Sequence, residues 1–155
     1  MKQYKTVPDF FRENAEKDQK TETEILEQKA RQALAGLTGQ YLEQMNMDVV
    51  IMKELLQKAK KASDKKRLNI IREDFFLKVH DMKGQGSTFG YPLLTELGAY
   101  ACEFLRNKTK ITDSDLEILE QIVKDTQLVL DDDLTGMGGQ AGADIRAHLV
   151  REEGQ

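Results

Sequence analysis

The sequence predicts an all-α protein, an antiparallel up-down four-helix bundle with an N-terminal helical extension. The composition favours helices, since Trp is absent, Pro occurs only twice and aromatic residues make up 6% of the 155 residues. Apolar residues recur at steps of three and four in four successive segments, which is the spacing of a helix face that packs against neighbours. No segment shows the period-two alternation of a half-buried strand between turn signals.

These patterns divide the chain into three predicted parts. Residues 1–36 form an N-terminal tail and helical extension, residues 37–131 the bundle, and residues 132–155 a Gly-rich hinge and a short C-terminal helix. Gly36 and Gly39 are expected to interrupt the helical pattern before the first bundle helix begins. Short links between the bundle helices predict that neighbouring helices run antiparallel.

Each bundle helix has a predicted apolar stripe, and three of them have a start signal. Ser63 or Asp64 can cap the second helix, and Pro92 suits the first turn of the third. Thr112, with Asp115 three residues later, resembles a capping box at the start of the fourth. The stripes are, in chain order, Leu42, Met45, Val49, Met52 and Leu56; Leu68, Ile71, Phe75, Val79, Met82 and Gly86; Leu94, Leu97, Ala101 and Phe104; and Leu116, Leu119, Val123, Thr126 and Leu130.

Charge, hydropathy and cysteine content exclude several classes of protein. The formal net charge of −4 argues against a nucleic-acid binder, which normally has a basic face. The longest aliphatic run, residues 49–52, is far too short to span a bilayer, and the N-terminus has no signal-peptide pattern. The single cysteine, Cys102, cannot form an intrachain disulfide and fits a reducing compartment. We therefore expect a cytoplasmic protein that binds neither nucleic acid nor membrane.

The segment from His80 to Gly90 is the most informative part of the sequence. On a helix that advances about 100° per residue, His80 projects roughly 140° from the centre of its helix's apolar stripe. It is therefore expected to face solvent or the edge of the bundle. Phe76, Lys83, Gly84 and Ser87 lie on the same side, because they are three, four or seven residues away.

Each of these neighbours has a use if His80 accepts a phosphoryl group. Neutral imidazole is a nucleophile at cellular pH, and Lys83 would place a positive charge beside the phosphoryl oxygens. Gly84 would leave room for an approaching partner, Phe76 would belong to a docking surface, and Ser87 could donate a hydrogen bond. The alternative is structural: an exposed surface histidine, followed by glycines that only end a helix.

The pattern His80-x-x-Lys83-Gly84, followed by Gly90, resembles the phosphorylation motif of histidine-containing phosphotransfer (HPt) domains. The triplet at residues 88–90 is similar to the form found in the phosphorylatable N-terminal domain of chemotaxis-type histidine kinases. The resemblance extends over about residues 37–130 and includes the position of the motif on the second bundle helix.

The resemblance implies a mechanism and a set of partners. The ε nitrogen of His80 would attack the aspartyl phosphate of a response-regulator receiver domain and later return the group to another receiver. A sensor histidine kinase would stand upstream. The receiver supplies the Mg²⁺, so we expect no metal site and no cofactor in this protein. We also expect no autonomous kinase activity, since neither a Walker-type loop nor a kinase signature is present.

The chain departs from the family at the residue that orients the histidine ring. Many relatives have a Gln, Glu or His on the third helix that hydrogen-bonds the δ nitrogen of the imidazole. The matching positions here are Ala99 and Cys102, and a slight rotation would bring Glu96 or Glu103 into that role instead. Two other functions therefore stay open: a pseudo-HPt adaptor that docks signalling partners without carrying phosphate, and a purely structural bundle.

Two residues outside the motif are assigned structural roles. Cys102 is expected to pack in or near the bundle as a small apolar group. His148 stands among charged residues near the C-terminus and is expected to lie on the surface.

Overall fold

The computed structural model describes the backbone from Val7 to Glu153 and the side chains of residues 21–150. Within these residues every regular element is helical, so the predicted all-α class is confirmed and no strand is present. The elements are α1 (Val7–Lys61), α2 (Lys65–Gln85), a 3₁₀ turn (Ser87–Phe89), α3 (Pro92–Arg106), α4 (Asp113–Asp131) and α5 (Gly139–Glu153). Among the described helices, none combines the length and the apolar character needed to cross a membrane.

The chain divides into two units, Met1–Gln40 and Tyr41–Gln155. In the first unit the described residues are helical, and α1 continues without a break through Gly36 and Gly39. The predicted interruption at these glycines is therefore wrong. A helix-interior glycine costs only about 1 kcal/mol relative to alanine, and the surrounding Leu, Ala, Gln and Arg residues are good helix formers. The extreme N-terminal residues of the predicted tail lie outside the described part of the chain.

The core of the second unit is built from the predicted stripes. Most members of the four stripes are buried, and each stripe has one end residue that is only partly buried, namely Leu42, Leu68, Phe104 and Leu130. Helix α3 packs against α2, α4 and α5, and it is the most enclosed of the helices in this unit. The fully enclosed side chains on α3 are Leu93, Leu94, Leu97 and Ala101, each with 0% exposure. The apolar period of the sequence thus identified the buried faces correctly.

The predicted helix starts are also confirmed. The Asp64 side chain accepts a hydrogen bond from the Lys66 backbone N–H (3.1 Å), which caps α2. At α4, Thr112 and Asp115 exchange the two hydrogen bonds of a capping box. Burial alone would raise the pKa of Asp115, but the Thr112 backbone N–H and the Lys108 ammonium together lower it below its usual value.

Helix α5 is tied to the rest of the second unit by one buried side chain, one ion pair and one contact between an imidazole and a carboxylate. Ile145 is 1% exposed, and the Arg146 guanidinium donates to the Glu96 carboxylate on α3 (2.9 Å). The His148 Nδ1 lies 3.2 Å from a carboxylate oxygen of Asp125, a buried residue of α4. His148 thus keeps part of its side chain at the surface, with 31% exposed, and in addition its imidazole contacts a carboxylate, which the sequence did not indicate.

Candidate functional site

His80 lies in the C-terminal part of α2, on the side of the helix that faces solvent. Its helix neighbours Val79 and Met82 are both 0% exposed and point into the core, which fixes the rotation of α2. The His80 ring rests beside the ring of Phe76 one turn earlier, with 5.9 Å between ring centroids and 33° between planes. The imidazole is thus exposed, as the helical geometry predicts, and it contacts the partly buried ring of Phe76.

Gly98 on α3 brings the two helix backbones into close contact behind His80. A Cβ at this position would lie 2.5 Å from the Lys83 backbone nitrogen and 2.7 Å from the Val79 carbonyl oxygen. Only glycine permits that approach, because both contacts are to backbone and neither can swing away. The turn of α2 that carries His80 is therefore backed by the α3 backbone. Sequence reasoning did not identify Gly98, although an isolated glycine in a strongly apolar helix was a signal for it.

The two glycines near the end of α2 have different roles. A Cβ at Gly86 would meet the Thr95 backbone nitrogen at 2.7 Å and the Tyr91 carbonyl oxygen at 2.8 Å, so packing requires glycine there. A Cβ at Gly84 would meet nothing within 4 Å. Gly84 is also exposed and lies in the last turn of α2, where glycine costs at most about 0.5–1 kcal/mol relative to alanine. No contact inside the described chain accounts for the glycine at position 84.

Lys83 lies one turn beyond His80 and is exposed. Its ammonium is close enough to Cys102 on α3 to influence the thiol electrostatically. Burial raises the pKa of the Cys102 thiol, while the charges of Lys83 and Arg106 oppose that rise. Cys102 is 1% exposed, so it packs in the core as the sequence indicated and keeps its proton at neutral pH.

The end of the motif forms the connection between α2 and α3. The Ser87 hydroxyl donates to the Thr95 hydroxyl oxygen (3.0 Å), which also accepts from the Ser87 backbone N–H (2.8 Å). Gly90 adopts a left-handed conformation with φ of 91°, which favours glycine. Phe89 stacks on Tyr41 with 4.5 Å between ring centroids. These contacts hold the turn that follows the His80 helix, and Thr95 was not anticipated from the sequence.

The two acidic residues considered for orienting the His80 ring differ in their environment. Glu96 is half-buried and accepts from Arg146 of α5. Glu103 is exposed on α3. Among the described residues, neither carboxylate forms a hydrogen bond to His80. The described contact of the imidazole is with Phe76.

A shallow groove runs between α2 and α3 beside Phe76. Its apolar lining comes from Phe76, Leu77 and Leu105, and Arg72 and Arg106 lie at its edges with Glu73. Leu77 is 62% exposed, a high value for a leucine. The groove provides an apolar surface with two arginines at its edges, and it adjoins His80 through Phe76, which belongs to the groove and contacts the imidazole. Its leucines and Arg106 were not identified from the sequence.

His80, Lys83, Gly84 and Phe76 therefore lie together on one accessible surface, while Ser87 and Gly90 shape the turn that follows it. Across the part of the chain that the structure describes, no group of three or more His, Cys, Asp or Glu side chains is placed to hold a metal ion. No family model, no curated protein and no solved structure matches this chain.

Proposed function

We propose that this protein is a histidine phosphotransfer protein of a two-component phosphorelay, which carries a phosphoryl group on His80. The observation that carries the proposal is the exposed imidazole beside Gly84, a glycine in the last turn of α2 that no contact within the described chain requires. A partner domain that covers this surface would explain why a side chain is absent there. The proposal also assigns residues 37–131 to an antiparallel up-down four-helix bundle, preceded in sequence by the helical extension and followed by the C-terminal helix. It places the protein in the cytoplasm.

The proposed reaction is a reversible group transfer with a response-regulator receiver domain. The lone pair of the neutral His80 Nε2 attacks phosphorus in line, the bond from phosphorus to the aspartyl oxygen breaks, and the aspartate leaves as a carboxylate. The proton on Nδ1 stays there, so the phosphohistidine ring is cationic. Positioning and charge stabilisation supply most of such catalysis, and the receiver domain brings the Mg²⁺.

The residues around His80 have distinct roles in this proposal. Lys83 stabilises the phosphoryl oxygens, because its compact charge is one helical turn away. Phe76 and the groove beside it receive the apolar surface of the receiver, and Gly84 leaves space above the ring. Ser87 and Gly90 hold the adjoining turn. Glu96 or Glu103 would orient the ring after a small rearrangement on phosphorylation.

A pseudo-HPt adaptor is the second candidate function, and one observation favours it. Within the described chain no hydrogen bond orients the His80 ring, and the positions that supply such a bond in HPt relatives are Ala99 and Cys102. An unoriented imidazole is a poorer nucleophile, because fewer of its conformers are ready for attack. The adaptor would use the same docking surface and would carry no phosphate.

A transfer assay distinguishes the two functions. Receiver domains labelled on their aspartyl phosphate are mixed with the purified protein and Mg²⁺. We expect an acid-labile, alkali-stable label on the wild-type protein, and its complete loss in His80→Gln. His148→Gln is the matched control, since the chain has two histidines and this variant should retain the label. Receiver binding without any label would support the adaptor instead, and a label that persists in His80→Gln would refute His80 as the acceptor.

Replacing Gly84 with alanine should stabilise the protein and slow the transfer. The added methyl group has no packing neighbour within 4 Å, so the last turn of α2 gains helix propensity, worth at most about 0.5–1 kcal/mol in the free energy of unfolding. The same methyl group projects towards the approaching receiver, and we expect a fall of about tenfold in the transfer rate, equivalent to about 1.4 kcal/mol. Urea unfolding and initial transfer rates measure the two effects separately.

Gly36→Ala is the matched control for Gly84→Ala. Gly36 is a second helical glycine with nothing within 4 Å of its Cβ position, and it lies in the interior of α1. It should show a similar gain in helix stability with an unchanged transfer rate. An unchanged rate in Gly84→Ala would mean that the open surface above position 84 has no part in docking.

A further inference from the structure

The described residues of the first unit present an uncovered aliphatic face. In residues 21–40 the side chains of Leu26, Leu34 and Leu37 are 67%, 53% and 53% exposed, and Ile25 is 46% exposed. Leu26, Leu34 and Leu37 lie within about 80° of one another around the helix, while Ile25 lies about 100° from Leu26 on the other flank. Large aliphatic groups exposed in this way are unusual on a monomer surface and indicate an interaction site. This face is distinct from the His80 surface, which belongs to α2 and α3.

The face has the spacing of a helix-pairing seam. Leu26, Ala30, Ala33 and Leu37 follow one another at steps of four, three and four residues, which keeps them within an arc of roughly 60°. The ion pair between Glu27 and Arg31 flanks the seam on one side, and the side opposite the seam carries Glu24, Gln28 and Gln32. The segment is therefore amphipathic, with one narrow apolar seam.

A helix of this kind needs a partner for its seam. Helical segments in water gain most of their stability from packing an amphipathic face, and intrinsic propensity alone leaves them marginal. Residues 21–37 are exposed without exception, so each side chain of the seam faces solvent. Gly36 and Gly39 lower the intrinsic propensity of this segment further.

The pattern of the seam matches a second copy of itself. Leucine, alanine, alanine and leucine at steps of four, three and four read the same in both directions. Two copies aligned on their centres therefore place Leu against Leu and Ala against Ala, whether the helices run parallel or antiparallel. In an antiparallel pair related by a two-fold axis, this symmetry of the pattern lets the seam pack against itself in register. The small alanines in the middle let the two backbones approach closely, and the leucines at both ends supply the apolar area.

Charge also favours a second copy over a membrane. Residues 21–40 contain three glutamates, one lysine and one arginine, so two copies bring little net charge together. Helices that lie on anionic lipid surfaces are typically rich in Lys and Arg instead. We propose that this protein forms a homodimer in which the seam of Leu26, Ala30, Ala33 and Leu37 packs against the same seam of a second copy. The proposal does not depend on phosphotransfer.

Sedimentation equilibrium of the full chain tests the dimer. The wild-type protein should show a monomer–dimer equilibrium between about 1 μM and 1 mM, the range expected for a small apolar interface. Ala33→Glu places like charges at the centre of the seam and should raise the dissociation constant at least about tenfold. Ala35→Glu makes the same change on the polar side, about 160° around the helix from Ala33, and should leave the dissociation constant within about twofold.

The controls separate this inference from loss of folding and from the proposed function. Circular dichroism should give the same helix content for Ala33→Glu, Ala35→Glu and the wild type. Ala33→Glu should still accept label on His80, so a failure of one proposal leaves the other standing. A wild-type protein that is monomeric over the whole range would overturn the dimer, and so would equal weakening by the two glutamate variants.

Discussion

Replacing Gly98 with alanine is expected to destabilise the protein by about 2 kcal/mol or more, although alanine is the better helix former. The new Cβ would lie 2.5 Å from the Lys83 backbone nitrogen and 2.9 Å from the Lys83 Cα. Relief requires α2 and α3 to move apart along their contact, which exposes apolar area and loosens packing in the most enclosed part of the core. Urea unfolding of the variant and the wild type measures the loss.

The same substitution at Gly84 is expected to change the free energy of unfolding in the opposite direction. Both glycines are helical and lie in the two helices that meet behind His80, yet only Gly98 faces a backbone. The helix-propensity gain is common to both, so the difference between the two variants reports the steric cost at position 98. An equal gain in stability for both would contradict the close helix contact that the structure shows.

Separation of α2 from α3 should also affect the candidate site. Val79 and Lys83, whose backbones touch Gly98, bracket His80 on its helix. A shift of α2 therefore moves the imidazole and the lysine relative to the groove. For the proposed phosphotransfer we expect Gly98→Ala to lower the transfer rate even under conditions in which the variant remains folded, because in-line attack depends on position.

The sequence was informative wherever the determining interactions are local. Helix class and buried faces follow from the apolar period, as with Val79 and Met82 on α2. The helix starts at Asp64 and Thr112 depend on hydrogen bonds within a few residues, and they too were predictable. The exposed position of His80 then follows from the rotation of its helix.

Features that depend on contacts between distant segments were not predictable in this way. The pairing of His148 with Asp125 and of Arg146 with Glu96 joins residues far apart in sequence, and no local pattern marks either pair. The steric requirement for Gly98 becomes visible only when α2 lies against it. The uninterrupted course of α1 through Gly36 shows that a modest local penalty does not by itself end a helix.

Raising the pH from 10 to 12 is expected to destabilise the folded protein by several kcal/mol through two buried tyrosines. Burial, together with the nearby Asp48 carboxylate, raises the pKa of Tyr41 from 10.0 to about 12. Burial and the hydrogen bond to Asp133 raise the pKa of Tyr91 to about 12 in the same way. A rise of two pKa units corresponds to about 2.7 kcal/mol. The contributions of the two tyrosines are coupled and do not simply add, because the charge of Tyr91 is one of the causes that raise the pKa of Tyr41.

The direction of the pH effect on stability follows from which state, folded or unfolded, retains the phenolic protons. Between pH 10 and pH 12 the unfolded chain has lost the phenolic protons that the folded protein still retains. Each rise in pH in that window therefore favours unfolding, and the stabilisation is fully present below pH 10. Urea unfolding at a series of alkaline pH values measures the slope, and the ultraviolet absorbance of the phenolate follows the ionisation directly.

The matched variants are Tyr41→Phe and Tyr91→Phe, which remove the titrating groups and keep the rings. In the described chain the buried Tyr41 hydroxyl has no hydrogen-bond partner, so Tyr41→Phe should be neutral or slightly stabilising at pH 7. Tyr91→Phe removes the donor to Asp133 and should cost about 1 kcal/mol there. In the double variant the free energy of unfolding should depend much less on pH between 10 and 12, and the dependence that remains should come from the lysines. If the alkaline pH dependence persists unchanged in the double variant, groups other than these two tyrosines cause it. If the tyrosines do cause it, ionisation of Tyr41 should also disturb the turn that follows His80, because Tyr41 stacks on Phe89 in that turn.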